Sequence, residues 1–226
     1  MPILRLAGKA PRRCRPVNSA LGVMNATTPP RLDSAIRAAL APLLRQDGFA
    51  GSGRRFYKRA GPWIQIVALQ GSRHGGSFAV NLGLQFATAP DLAGNPPDPK
   101  KMNEAHCEFR RRLSESNADM WWKHETDHAS MLAAVESAAS LYAEHGRQYF
   151  ERASAALTSI TPEALASGNY DLQGFGSTRV RLGLALSRIR RLEGRMQESR
   201  GFAKYGAQHA GSADCLMPEL VALAAE

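Results

Sequence analysis

The sequence predicts an α+β protein with an N-terminal helix, an antiparallel meander of four to five strands, and a helical C-terminal half. Three observations predict it. Apolar residues recur with a helical period before residue 47, three stretches of β-type composition follow with turn residues between them, and the helical period returns at about Asp127. A chain of 226 residues, 44% hydrophobic and 22% charged with a mean hydropathy of -0.31, can bury such a core without disulfide or metal support. The same composition excludes a wholly disordered, collagen-like or coiled-coil chain.

The first element is a helix over residues 32–46, where Leu32, Ile36, Leu40, Leu43 and Leu44 form one apolar stripe. Asp33 or Ser34 is placed to cap its free amides, and Gly48 stops it. Pro42 lies inside the pattern without an amide donor, so a kink or an early end is expected near Ala41. Gly51-Ser52-Gly53 lacks the lysine and hydroxyl residue of a phosphate-binding loop and reads as a connector to the first strand.

Strands are expected over residues 55–59, 63–70 and 77–86, with Ala60-Gly61-Pro62 and residues 72–76 as turns. The third alternates: Phe78, Val80, Leu82, Leu84 and Phe86 share one face, Ala79, Asn81, Gly83 and Gln85 the other. The first face is expected to be core and the second polar. After a proline-rich loop over residues 87–101, a fourth strand is expected over 106–113. There Cys107, Phe109 and Leu113 alternate with His106, Glu108, Arg110 and Arg112. Residues 120–123, with Trp121 and Trp122, read as a further strand or an aromatic plug.

The helical half starts at about Asp127, with Met131, Leu132, Val135, Ala138, Ala139 and Tyr142 on one side and Gly146 as its break. A second helix follows over 147–157. Thr161-Pro162-Glu163 has the cap and first-position proline of a short helix ending before Gly168. Ser177 is placed to cap a helix over 180–192, Gly194 separates it from another over 195–208, and residues 218–225 read as a last helical turn or frayed tail. The expected organisation is a disordered basic, proline-containing leader at 1–30, an α+β domain at 31–168, and a helical extension at 169–226 packed on it.

The 29 basic and 20 acidic residues give +9 and a pI near 9.9, which on its face suggests an anionic partner. Five of the basic residues, Arg5, Lys9, Arg12, Arg13 and Arg15, precede Met24, leaving 24 against 20, or +4. Met24 opens the polar lead into the first helix and reads as the translation start, the alternative being a basic arm that binds polyanions. Nothing resembles a secretory leader or a membrane span. Cys14, Cys107 and Cys215 lie far apart with no CxxC, so neither a disulfide framework nor a cysteine zinc site is legible and a reducing cytoplasm is expected.

A string of short motifs carries a resemblance. Leu43-Leu44 leads to Gly48-Phe49, then come Arg55-Phe56, residues 64–70 and Val80-Asn81-Leu82-Gly83. Cys107-Glu108-Phe109-Arg110-Arg111-Arg112-Leu113 and Trp121-Trp122 follow. Over residues 32–165 this resembles the bacterial domain of unknown function 4304 family. The resemblance implies an α+β domain in a bacterial cytoplasmic protein and supplies no catalytic residues.

Three constellations bear on function. On the polar sheet face Asn81, Gln85, His106, Glu108, Arg110 and Arg112, with Gln65 or Gln70 near them, form an amide and guanidinium array. It suits a phosphate, a carboxylate or an acidic partner surface. The competing reading is a solvated face with cross-strand ion pairs. His124-Glu125-Thr126-Asp127-His128 is literally HExxH, which on a helix would place His124 and His128 on zinc with Glu125 as base. The helical pattern begins at about Asp127, however, leaving His124 in the loop and Asp127 as a cap, and no third ligand beyond Glu144, His145 or Glu151 by position suggests itself. Arg179, Arg181, Arg188, Arg190, Arg191 and Arg195 cluster on the C-terminal helices, where Arg181, Arg188, Arg191 and Arg195 form a stripe that could track phosphates or simply face solvent.

The expectation is therefore a non-catalytic recognition module with a protein partner, immunity-like (toxin-neutralising) or regulatory, with no cofactor. A zinc-dependent hydrolase at 124–128 and a nucleic-acid binder through the C-terminal arginines are the alternatives.

Overall fold

The computed structural model describes residues 31–226 except 92, 93 and 117; the leader and the Met24 start lie outside the described residues. Helix α1 spans residues 32–46 as two α segments, Leu32–Ala35 and Ala41–Gln46, around a π turn at Ile36–Leu40. It neither ends nor breaks at Pro42. The wider turn lies just before that proline, where the missing amide and the ring's clash with the preceding turn would disturb an α ladder. Neither expected cap is used. Arg31 is the N-cap without a side-chain bond, Ser34 donates to the Arg31 carbonyl at 2.8 Å, and Asp33 pairs with Arg54 at 2.8 Å.

The sheet comprises β1 (Ala50–Ser52), β2 (Arg55–Ala60), β3 (Trp63–Gly71), β4 (Ser77–Phe86), β5 (Phe109–Arg112) and β6 (Trp122–Lys123). The order is β1-β2-β3-β4-β5, every pairing is antiparallel, and β6 pairs the start of β4. The expected connector at 51–53 is in part the edge strand β1. Gly51 there has φ +112, and a Cβ on it would lie 2.4 Å from the Arg55 carbonyl, so the hairpin closes only without a side chain. Trp122 is both strand and plug: its ring stacks on Phe78 at 5.6 Å.

Phe78, Val80, Leu82, Leu84 and Phe86 enter the main core, which α1 and α2 cover. The opposite face is not solvated as expected. Ile64, Ile66 and Ala68 of β3 pack there against Met102 and Cys107 from the loop that returns over the sheet. Arg55 ties that loop down, donating to the Pro99 carbonyl at 3.0 Å and to Met102 and Lys100. Gly83 makes the approach possible, because a Cβ on it would meet Cys107 Sγ at 2.7 Å and Glu104 Cα at 3.1 Å. The strand expected from residue 106 therefore begins at Phe109, with His106 in a 3-10 turn (Glu104–His106) and Cys107 on the face opposite Phe109.

Burial pushes the Cys107 thiol up, so it stays protonated and unreactive, whereas Cys215 is exposed. Alkylation of the native protein at pH 8 is expected to modify Cys215 and spare Cys107 until denaturant is added. Peptide mapping that finds Cys107 labelled at a comparable rate in the native state would show that the loop over the sheet opens.

Helix α2 runs unbroken over residues 128–159, as His128–Leu141 and Arg147–Ser159 joined by a π turn at Tyr142–Gly146. Gly146 is no terminator. A Cβ on it would lie 2.3 Å from the Tyr142 ring, so it is the space into which that buried ring packs. Asp127 caps this helix as expected, accepting from the Ser130 amide at 2.8 Å.

Four helices complete the chain: α3 (Pro162–Ser167), α4 (Arg179–Leu192), α5 (Met196–Gln208) and α6 (Met217–Ala225). Thr161 caps α3 from its side chain. Thr178, not Ser177, caps α4. Leu172, Phe175, Leu182, Leu186, Ile189 and Phe202 join the same core as the sheet, while Val180, Leu184, Ala203 and Leu220 form a smaller cluster among α4, α5 and α6. Among the described residues no helix is long and apolar enough to cross a membrane.

Candidate functional site

Strand parity decides which side chains share the loop-covered face. Asn81 pairs with Arg112 and Gly83 with Arg110, so Arg110 and Arg112 project together, whereas Arg111, opposite Leu82, turns to the other side and lies over the Tyr149 ring at 3.5 Å. The outer edge of β5 is closed by the C-terminal half. Arg110 and Gly176 exchange backbone hydrogen bonds of 3.4 and 2.8 Å, which bring Ser177, Thr178 and the first turn of α4 alongside. A cleft of about 760 Å³ results between the sheet face, the 3-10 turn at Glu104 and the start of α4.

Two of the guanidinium groups in it are fixed. Arg112 donates to Asn81 Oδ1 at 3.2 Å and Gln70 Oε1 at 3.1 Å, pairs with Asp119, and lies 4.7 Å from the Trp121 ring. Arg181 grips the buried Glu108 carboxylate with two bonds of 3.1 and 3.2 Å, and Ser177 adds a third at 3.1 Å. Such a forked pair fixes both planes and uses up the carboxylate. Arg110 is exposed and its guanidinium makes no ion pair or hydrogen bond among the described residues. The cleft thus presents one open cation beside two oriented ones, with amide groups between them.

The structure brings Asn81, Glu108, Arg110 and Arg112 together and separates Gln85 and His106 from them. Gln85 is buried, donating to the carbonyls of Ala89 at 3.0 Å and Pro90 at 3.1 Å and accepting from the Glu108 amide at 2.9 Å. His106 accepts from the Asn103 amide at 3.1 Å and lines a separate cavity with Asp91 and Asp98. Gln70 lines the cleft; Gln65, opposite Leu84, is on the other face. Arg181, Ser177, Glu104 and Asp119 escape a sequence reading of this site. Arg181 is legible only as part of a helical stripe, since its pairing with Glu108 spans 73 positions.

HExxH does not form its helical face. His124 precedes the helix, with Nδ1 2.8 Å from the Glu125 carbonyl oxygen, while His128 opens α2 with Nδ1 3.3 Å from Ser34 Oγ. Among the described residues no three His, Cys, Asp or Glu side chains come together in a way that could hold a metal. Most of the C-terminal arginines have carboxylate partners. Arg188 pairs with Glu219, Arg191 with Glu226 and Arg195 with Glu193 and Glu198, and Arg190 is fully buried. That leaves little of the stripe free for phosphates.

Fold and site together define an α+β protein with an open, charged cleft at the seam between an antiparallel sheet and a helical extension. The model of the family described as Domain of unknown function (DUF4304) matches residues 40–152, half of the chain, and the chain belongs to that family. No curated protein and no solved structure matches it. The matched segment supplies Asn81, Glu108, Arg110 and Arg112; Ser177, Thr178 and Arg181 come from outside it.

Proposed function

We propose that this protein is a non-catalytic recognition module of the bacterial cytoplasm, immunity-like or regulatory, that holds an acidic segment of a partner protein in the cleft. The observation that carries this reading is Arg110, an exposed guanidinium without a carboxylate partner among the described residues, set between the oriented Arg112 and Arg181. A bound carboxylate would supply what Arg110 lacks while the fixed neighbours set its orientation. The lining has no histidine or cysteine, and its three carboxylates are already engaged, Glu108 by Arg181, Asp119 by Arg112 and Glu104 by the Asn81 amide, so binding suits these groups better than nucleophilic or acid–base chemistry.

The test places a photo-crosslinking residue at Ala105, an exposed position on the rim, in otherwise native protein expressed in its own cells. One protein adduct is expected, and Arg110→Glu should reduce it at least about tenfold, because a like charge opposes an acidic partner. No adduct, an adduct indifferent to Arg110→Glu, or one removed by nuclease would overturn the reading.

A further inference from the structure

The other face of the sheet carries a second cavity, of about 150 Å³, where α1 ends and α2 passes its π turn. Its inner wall is the cross-strand pair Lys58 and Gln65. Gln65 is 7% exposed, yet its amide makes no hydrogen bond among the described residues. Its amide is not sealed, since Trp122 Nε1 is the one buried side-chain polar atom left unpaired among the described residues, so Gln65 offers its donor and acceptor to whatever occupies the cavity. The Lys58 ammonium likewise has no carboxylate partner among the described residues and rests 5.7 Å from the centre of the Phe49 ring.

The opposite wall comes from α2. Arg147 is anchored through Nε on Asp47 Oδ2 at 2.7 Å, which leaves its two terminal nitrogens without hydrogen-bond partners among the described residues, while the exposed Glu151 carboxylate, also in the lining, favours its charge from a distance. Asp47 is thereby occupied. Tyr142 also faces it, and burial together with that carboxylate pushes the phenol up and keeps its proton in place. The π turn, packed through Gly146, sets Tyr142 and Arg147 against the cavity, an arrangement common where helices carry ligand sites. Phe49 and Phe150 supply an apolar lining.

We propose that this cavity binds a small organic carboxylate, whose oxygens take hydrogen bonds from Lys58, Gln65 and the free nitrogens of Arg147 while its carbons lie on Phe49 and Phe150. The cavity is about half the smallest volume usual for drug-sized ligands, which limits the guest to a few heavy atoms, from acetate to a four-carbon diacid. This site is separate from the cleft and does not depend on the function proposed for it.

Thermal unfolding of the full chain in sodium acetate, sodium L-malate and ionic-strength-matched sodium chloride tests it. A millimolar dissociation constant predicts a rise in Tm of roughly 3–6 °C at about 10 mM of one carboxylate over chloride. Gln65→Leu and Lys58→Met should each abolish the rise. Without ligand Gln65→Leu should unfold no lower than the parent, since it removes no hydrogen bond made among the described residues. Equal Tm in all three salts, a rise that survives both substitutions, or a lowered Tm for Gln65→Leu in chloride would each refute the site.

Discussion

Arg190→Met is expected to cost about 3–5 kcal/mol and to lower Tm by roughly 10 °C. Arg190 is fully buried near the end of α4, where a charge survives only if its donors are used. They are. Nη2 donates to the carbonyls of Leu157 at 3.0 Å, Thr158 at 2.9 Å and Ile160 at 3.1 Å, and the other nitrogens reach Glu198 at 3.1 Å and Glu193 at 3.2 Å. The three carbonyls are the loose end of α2, the negative pole of that helix, so one side chain from the C-terminal extension closes a helix of the sheet-covering layer. Methionine fills similar volume but leaves those acceptors dry.

Glu193 and Glu198 keep Arg195, so the loss falls chiefly on the carbonyls. Arg190→Lys should recover only part of it, because one ammonium cannot span acceptors on both sides. Arg188→Met, which breaks the half-exposed pair with Glu219, is the control and should cost about 1 kcal/mol or less. Urea melts that placed Arg190→Met within 1 kcal/mol of the parent would remove Arg190 as the tie between the two halves.

What the sequence made legible follows from local chemistry. The stripe of Leu32, Ile36, Leu40 and Leu44, the turn residues between strands, the Asp127 cap and the Thr161-Pro162 start all act within a few positions, and all appear where the pattern puts them. The candidate site is legible only in part, since Gln85 and His106 are expected on the same face yet lie outside the cleft. Alternation along β5 separates Arg110 and Arg112 from Phe109, and Asn81 falls on their side. What the pattern could not show is which distant segment covers a face. Met102 and Cys107 fold back over Ile64 and Ile66 because Gly83 admits them, and Arg181 reaches Glu108 across the seam. A helical period likewise cannot tell an arginine facing water from one facing a carbonyl. Arg190 and Arg191 are neighbours in sequence, yet one is sealed and the other half exposed.

Gly183 presents the same difficulty in its sharpest form, since helix propensity and packing predict opposite signs for Gly183→Ala. In the middle of α4 alanine should gain about 1 kcal/mol over glycine. A Cβ there would lie 2.7 Å from both Cα and N of Gly206 and 2.8 Å from the Phe202 carbonyl oxygen. These are backbone atoms of α5 and cannot rotate aside, so the two helices must part or bend. Overpacking of this kind typically costs about 1–3 kcal/mol, and contact with rigid atoms belongs at the upper end. We expect Gly183→Ala to destabilise by about 2 kcal/mol net, and Gly183→Val, which gains less propensity and adds two methyl groups at the contact, by more.

Gly206→Ala should be milder. Its nearest obstacle, at 2.7 Å, is the Leu220 Cδ2 methyl, which can swing away, and the Val180 carbonyl oxygen is at 3.2 Å. Chemical denaturation of the three variants decides the matter, and a stabilised Gly183→Ala would mean that α4 and α5 are not held at this separation. The cleft should tolerate the damage. Arg181 remains tied to Glu108, Gly176 to Arg110 and Arg190 to the end of α2, so the displacement falls on α5 and α6. The Ala105 adduct is therefore expected to persist in Gly183→Ala below its lowered Tm, which separates the helical extension's part in stability from the cleft's part in binding.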